Sequence, residues 1–176
     1  MSKTRITLRP VEAADEWMLR ALFAEWLQGQ LRSSALTPPE IELLTEMRFR
    51  DRAAAQSGCR DRELQQSVVL IDGVAVGYLA LDRRPGETRI VDVALLAAFR
   101  GRGFGSSLLR SLQREAAGAG RLLGLRVVRD TAAQHFYRRL GFREVAADEL
   151  DVEMVWEADA YCHAHGTARE RRGAAA

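Results

Sequence analysis

Arg100-Gly101-Arg102-Gly103-Phe104-Gly105-Ser106 decides the reading of this chain. Before it lies Arg89-Ile90-Val91-Asp92-Val93-Ala94-Leu95-Leu96, an apolar, β-branched run that predicts a strand. After it, Leu108, Leu109 and Leu112 fall at helical spacing. A strand, a turn with three alternating glycines and a helix start together predict an anion cradle. Glycine lets the backbone approach a ligand, and the unpaired N–H groups of a helix N-terminus point at negative charge. Arg100 and Arg102 add positive charge at its mouth. The ligand this arrangement suits is a pyrophosphate.

Two familiar phosphate loops do not fit. A G-x-x-x-x-G-K-[ST] loop needs a lysine, and none follows Gly105; Lys3 is the only lysine in the chain. A G-x-G-x-x-G fingerprint puts Ser106 in the last place if counted from Gly101, and Leu108 if counted from Gly103. The pattern [R/Q]-x-x-G-x-[G/A] does fit, filled by Arg100, Gly103 and Gly105. Here the chain resembles the coenzyme A pyrophosphate loop of the GNAT N-acetyltransferases. A second stretch strengthens the resemblance. Asp130-Thr131-Ala132-Ala133-Gln134-His135-Phe136-Tyr137-Arg138-Arg139-Leu140-Gly141-Phe142 is similar to the family pattern N-x-x-A-x-x-x-Y-x-x-x-G-F, and it follows the strand-like run 123–128. The two motifs stand in the family's order and at its usual distance.

The rest of the chain predicts a mixed α/β layout. Ile6 to Arg9 reads as a first strand ended by Pro10. A helix follows, capped by Asp15 or a neighbour, with Leu19, Leu22, Phe23, Trp26 and Leu27 on one face and Trp17 and Trp26 expected in the core. Pro38-Pro39 opens a second helix that buries Ile41, Leu44 and Met47. Residues 56–65 read as a charged loop. Asp72-Gly73 between the apolar runs 68–71 and 74–81 predicts a type I′ hairpin. The last strands are 142–145 and 150–156. The expected fold is therefore GNAT-like: a central mixed sheet of six to seven strands flanked by about four helices. It occupies a single domain over 1–157, with a polar, disordered tail over 158–176.

Composition limits the alternatives. The chain has 176 residues, 47% apolar and 28% charged, enough for one packed core. Its 24 acidic residues nearly cancel its 26 basic ones, for a net charge of +2. With no basic-aromatic stripe, nucleic-acid binding is disfavoured, and nucleotide hydrolysis lacks its lysine. Heavy use of arginine and alanine suggests a GC-rich, bacterial genome. Cys59 and Cys162 lie far apart, predicting reduced thiols. His163 and His165 beside Cys162 read as exposed chance in a polar tail, so no metal is expected. Neither a signal-peptide core nor a membrane-length apolar run is present, which predicts a cytoplasmic protein without a membrane partner.

The resemblance implies a function and a site. It implies an acetyl-CoA-dependent N-acetyltransferase, with the amine of a small molecule, peptide or protein attacking the thioester directly in a ternary complex. The main chain of Val93, Ala94 and Leu95 would hold the pantetheine arm, with the Leu95 N–H supporting charge on the acetyl oxygen. Arg100, Gly101, Arg102, Gly103, Phe104, Gly105 and Ser106 would hold the pyrophosphate, and Asp130 and Tyr137 would also meet the cofactor. Tyr137 takes the role of general acid to the leaving thiolate. Asp92 is the candidate base, with Asp82, Glu87 and Glu144 as rivals. Asp130 stands where the family usually has asparagine, so it can only accept hydrogen bonds when ionised; it can equally cap the following helix. Leu125 replaces a glutamate that some members use as base, and Ala97-Ala98 replaces a common proline–acid pair. The acceptor site is expected from residues 28–37, the second helix and the last strands. That surface includes Arg32, Glu40, Glu42, Glu46, Arg48 and Arg50. A non-catalytic acyl-CoA sensor with the same fold is the alternative, and homodimerisation through the last strands or the tail is possible.

Overall fold

A computed structural model describes residues 4–31, 37–47 and 64–158. The elements are β1 (Ile6–Pro10), α1 (Glu16–Gln30), α2 (38–47), β2 (Leu64–Ile71), β3 (Val74–Arg84), β4 (Glu87–Leu95), α3 (Phe104–Gly118), β5 (Leu122–Val128), α4 (Ala132–Arg139), β6 (Arg143–Ala147) and β7 (Asp151–Trp156). The sheet has seven strands in the order β1-β2-β3-β4-β5-β7-β6. The expected mixed α/β fold, with about four helices, is the one observed. Two compact units divide the chain: Met1–Ala80 with Asp92–Arg102, and Leu81–Val91 with Gly103–Ala176. The divisions fall inside β3 and β4.

In the first unit, β1 pairs antiparallel with β2 from Ile6↔Ile71 to Pro10↔Ser67. Asp72 (φ 49°) and Gly73 (φ 85°) are both left-handed, as the type I′ reading of Asp-Gly requires. Met18 and Leu22 of α1 are buried with Val68, Tyr78 and Ala80, and Leu19, Leu70 and Ala94 pack around them. Burying each such side chain contributes about 2 kcal/mol, so this stripe fixes α1. The stripe runs through Met18, and this corrects the expectation for the tryptophans. Trp17 lies about 100° around the helix from Met18 and is 60% exposed. Trp26 rests against Phe23 (centroids 5.5 Å apart) but stays 55% exposed. Met47 is also exposed.

Asp15 precedes α1 but does not cap it with its side chain. Its buried carboxylate is taken by Arg9, with Nη1 and Nη2 at 2.7 and 2.6 Å, and by the Glu12 N–H at 2.8 Å. The Arg9 guanidinium holds this carboxyl below the usual aspartate range. α2 starts at Pro38, and Glu40 reaches back over its first turn: the N–H and Oγ1 of Thr37 donate to Glu40 Oε2 at 2.7 and 2.6 Å.

In the second unit, β4 pairs parallel with β5 from Glu87↔Leu122 to Ile90↔Leu125, and β4 itself continues to Leu95. β7 runs antiparallel between β5 and β6. α3 buries Leu108, Leu109, Leu112 and Ala116 along one stripe. The strands supply Leu123, Leu125, Val152, Met154 and Val155 to the core. Gln113 of α3 donates to the Leu140 carbonyl at 2.7 Å, tying α3 to the end of α4. Among the described residues no helix is long and apolar enough to cross a membrane. Residues 159–176, with Cys162, His163 and His165, lie outside the described residues, as do Cys59, Arg32, Arg48 and Arg50.

Candidate active site

The C-terminal end of β4 is fixed by four neighbours, all in the first unit. The Leu95 carbonyl accepts from Arg100 Nε at 2.6 Å. The Leu96 N–H donates to the Val76 carbonyl at 2.9 Å. The Ala97 N–H donates to both carboxylate oxygens of Glu25, at 3.1 and 2.9 Å. Arg100 Nη2 donates to Glu25 Oε2 at 2.7 Å. Gly77 completes the arrangement. A Cβ on it would lie 2.5 Å from both the Ala94 carbonyl oxygen and a Leu95 methyl. Only glycine admits β4 this close, so Gly77→Ala is expected to cost about 2 kcal/mol through overpacking against backbone. A shift in the urea midpoint checks this; an unchanged midpoint would mean that β4 yields freely there.

Past Arg100 the backbone reverses sharply. Gly101 (φ 70°) and Gly103 (φ 82°) are left-handed, a conformation that costs an L-residue about 1–2 kcal/mol. Gly103 is the N-cap of α3, and the first intrahelical bond is Ser107 N–H to the Gly103 carbonyl, at 3.0 Å. The N-cap glycine has no side chain to cap this helix, and its first turn carries no acidic residue. The main chain of Gly103, Phe104, Gly105 and Ser106 therefore forms the positive end of a fifteen-residue helix. A Cβ at Gly101 or Gly103 would meet nothing within 4 Å, so there is open space over this backbone. Backbone donors, a positive helix end and open space fit a pyrophosphate.

Tyr137 and Asp130 lie in the second unit, with Gly103 to Ser106; Asp92, Val93, Ala94, Leu95, Arg100, Gly101 and Arg102 lie in the first. Tyr137 is half-buried on α4. Its ring packs near Phe136 and Phe142, with centroids at 5.4 and 5.6 Å. Its carbonyl accepts from the N–H groups of Leu140 and Phe142 at the helix end. Asp130 does not cap α4. The N-cap is Thr131, whose Oγ1 accepts from the Gln134 N–H at 3.3 Å. Asp130 sits instead at φ 56°, where aspartate and asparagine are the side-chain-bearing residues best tolerated. Its N–H donates to Oε1 of the buried Gln134 at 2.7 Å, and Gln134 Nε2 donates to Glu144 Oε1 at 2.7 Å.

The candidate bases separate by their partners. Glu144 is paired with Arg138 and hydrogen-bonded by Gln134, and the arginine holds its carboxyl below the usual range. Asp82 carries Arg84, with Nε at 2.8 Å. Glu87 lies 3.6 Å from Arg89 Nε. The arginine beside Glu144 makes that carboxylate a weak proton acceptor. Asp92 is half-buried on β4, next to Val93.

Glu25, Gly77 and Gln134 are the residues sequence reasoning passed over. Gly77, a glycine inside a strand, carries a signal for close backbone approach. Glu25 gives none, being 72 and 75 residues from its partners.

Residues 63–144 match the family model of the acetyltransferase (GNAT) domain. No curated protein matches the sequence. Among solved structures, the fold is similar to PaiA N-acetyltransferase from Thermoplasma acidophilum in complex with coenzyme A, at 17% identity and TM-score 0.61, covering 88% of this chain and 99% of that one. It is also similar to an acetyltransferase from Thermus thermophilus, at 18% identity and TM-score 0.61, covering 86% and 96%. The ribosomal-protein-S18-alanine N-acetyltransferase from Escherichia coli aligns at 18% identity and TM-score 0.54, covering 88% and 97%. The match and the fold point the same way: residues 63–144 are similar to an acetyltransferase (GNAT) domain, and the described chain has the fold of these solved structures.

Proposed function

We propose that this protein is an acetyl-CoA-dependent N-acetyltransferase acting on a primary amine by direct attack in a ternary complex. The observation that carries the reading is the N-terminus of α3. Two left-handed glycines open the backbone before a helix whose N-cap carries no side chain and whose first turn lacks any acid, with space above it. The N–H groups from Gly101 to Ser106 would hold the pyrophosphate, with Arg102 lending positive charge at the rim. The main chain of Val93 to Leu95 would hold the pantetheine arm. Acetyl-CoA, when bound, supplies the thioester carbonyl that the amine attacks.

The chain's own residues supply the rest. The Leu95 N–H would donate to the acetyl oxygen as charge grows there, a contribution of about 3 kcal/mol for one such donor. Tyr137 would give its phenolic proton to the departing sulfur. Asp92, half-buried on β4 beside Val93, is the candidate acceptor of the amine's proton. The catalytic domain would span residues 1–157.

Calorimetric titration with acetyl-CoA, beside ATP and NAD, tests the reading. Micromolar binding of acetyl-CoA alone is expected, followed by release of free thiol when an accepting amine is added. Absence of acetyl-CoA binding would overturn the reading. Binding without transfer to any amine, including peptide N-termini and lysine side chains, would leave a non-catalytic acyl-CoA sensor.

A further inference from the structure

We propose that Arg100 is not an anion ligand of the cradle but a positioning residue. With Glu25, it clamps the end of β4 and fixes the chain that enters the cradle. The inference rests on the acetyltransferase reading for its effect on cofactor, but the clamp itself is read from contacts within one compact unit. An arginine before a phosphate-binding turn is ordinarily counted as a ligand. Here the guanidinium is already engaged. Its Nε donates to the Leu95 carbonyl at 2.6 Å and its Nη2 to Glu25 Oε2 at 2.7 Å. The same carboxylate accepts the Ala97 N–H.

Arg100 therefore closes a loop from Leu95 through the turn Ala97–Phe99 and back, and Glu25 anchors that loop to α1. Leu95 is the residue whose main chain the functional reading places against the acetyl group, so the bond reaches the reacting centre through the backbone. Releasing the guanidinium would free the Leu95 peptide to turn, and the entry into Gly101 with it. A carboxylate so close to the guanidinium would also oppose a second anion there.

The clamp and ligand roles predict opposite signs for one substitution. Glu25→Gln keeps the shape and removes the charge. If Arg100 bound the pyrophosphate, removing its competing carboxylate would leave acetyl-CoA affinity unchanged or raise it. As a clamp, the pair should lose about fivefold in acetyl-CoA affinity, because hydrogen bonds to charged groups are worth more than neutral ones even when partly exposed. Arg100→Gln should lose a similar factor, and the double variant no more than either single one. The salt dependence of acetyl-CoA binding should be the same in Arg100→Gln as in the parent protein.

Hydrogen exchange of the Ala97 amide, followed without ligand, provides an independent readout. It should speed up in Arg100→Gln as well as in Glu25→Gln, although Arg100 does not touch that amide. Unchanged or tighter acetyl-CoA binding in Glu25→Gln would overturn the clamp. So would unchanged Ala97 exchange in Arg100→Gln. Failure of the parent protein to bind acetyl-CoA at all would overturn the functional reading instead, and the exchange result would then decide the clamp alone.

Discussion

Tyr137→Phe is expected to slow acetyl transfer about 100- to 1,000-fold while leaving acetyl-CoA affinity within about twofold. The substitution removes one oxygen and keeps the ring. Its ring contacts with Phe136 and Phe142, at centroid distances of 5.4 and 5.6 Å, do not need the hydroxyl. Phenylalanine satisfies both contacts, so α4 and the Gly141–Phe142 turn should survive intact. The phenolic proton is what is lost, and its value lies in the transition state, where the leaving sulfur would otherwise depart as an unprotonated thiolate. Turnover and affinity should therefore separate. The check is kcat against the calorimetric Kd for acetyl-CoA on the same preparation. Equal turnover in the two proteins would remove Tyr137 from the mechanism and leave it a packing residue. A parallel fall in affinity would mean that the hydroxyl binds cofactor rather than moving a proton.

The legibility of this chain divides along the range of its interactions. Features set by local backbone chemistry were readable. Asp72-Gly73 demanded two positive φ values, and both are there. The alternating glycines before Phe104 demanded a left-handed turn at a helix start, and Gly101 and Gly103 supply it. Features set by distant partners were not readable. The helical periodicity of α1 located an apolar face, but Trp17 and Trp26 stand at its margins, and only the packing of Met18 and Leu22 reveals the centre of the stripe. Asp130 reads equally as a cofactor contact or a helix cap; Thr131, one residue later, does the capping, and Asp130 stands at φ 56°. Arg100 was read as a cradle cation because nothing in its neighbourhood of sequence announced Glu25. Composition and spacing report what the backbone needs locally. They do not report which charged pair a long-range fold will close.

Gly103→Asp should abolish measurable acetyl-CoA binding, a loss of at least about 100-fold, without destabilising the protein. The two halves of this expectation come from opposite effects at one position. Gly103 has φ 82°, which penalises any side chain, but aspartate is among the residues that tolerate this region, as Asp72 and Asp130 do in the same chain. A Cβ there meets nothing within 4 Å, so no steric cost is added. The new carboxylate would stand at the N-cap of α3, where aspartate contributes about 1 kcal/mol and offsets a strain of similar size. The melting temperature should stay close to that of the parent protein. The N–H groups that the carboxylate satisfies are the ones the pyrophosphate needs, and its charge repels a second anion in the same space. Gly103→Asn separates the two contributions: it fills the space and caps the helix without charge, so it should weaken binding less than aspartate and respond less to added salt. Full binding by Gly103→Asp would place the cofactor's phosphates elsewhere and remove the α3 N-terminus from the proposed site. Unfolding of that variant would show that the left-handed N-cap, rather than the ligand, is why glycine stands at this position.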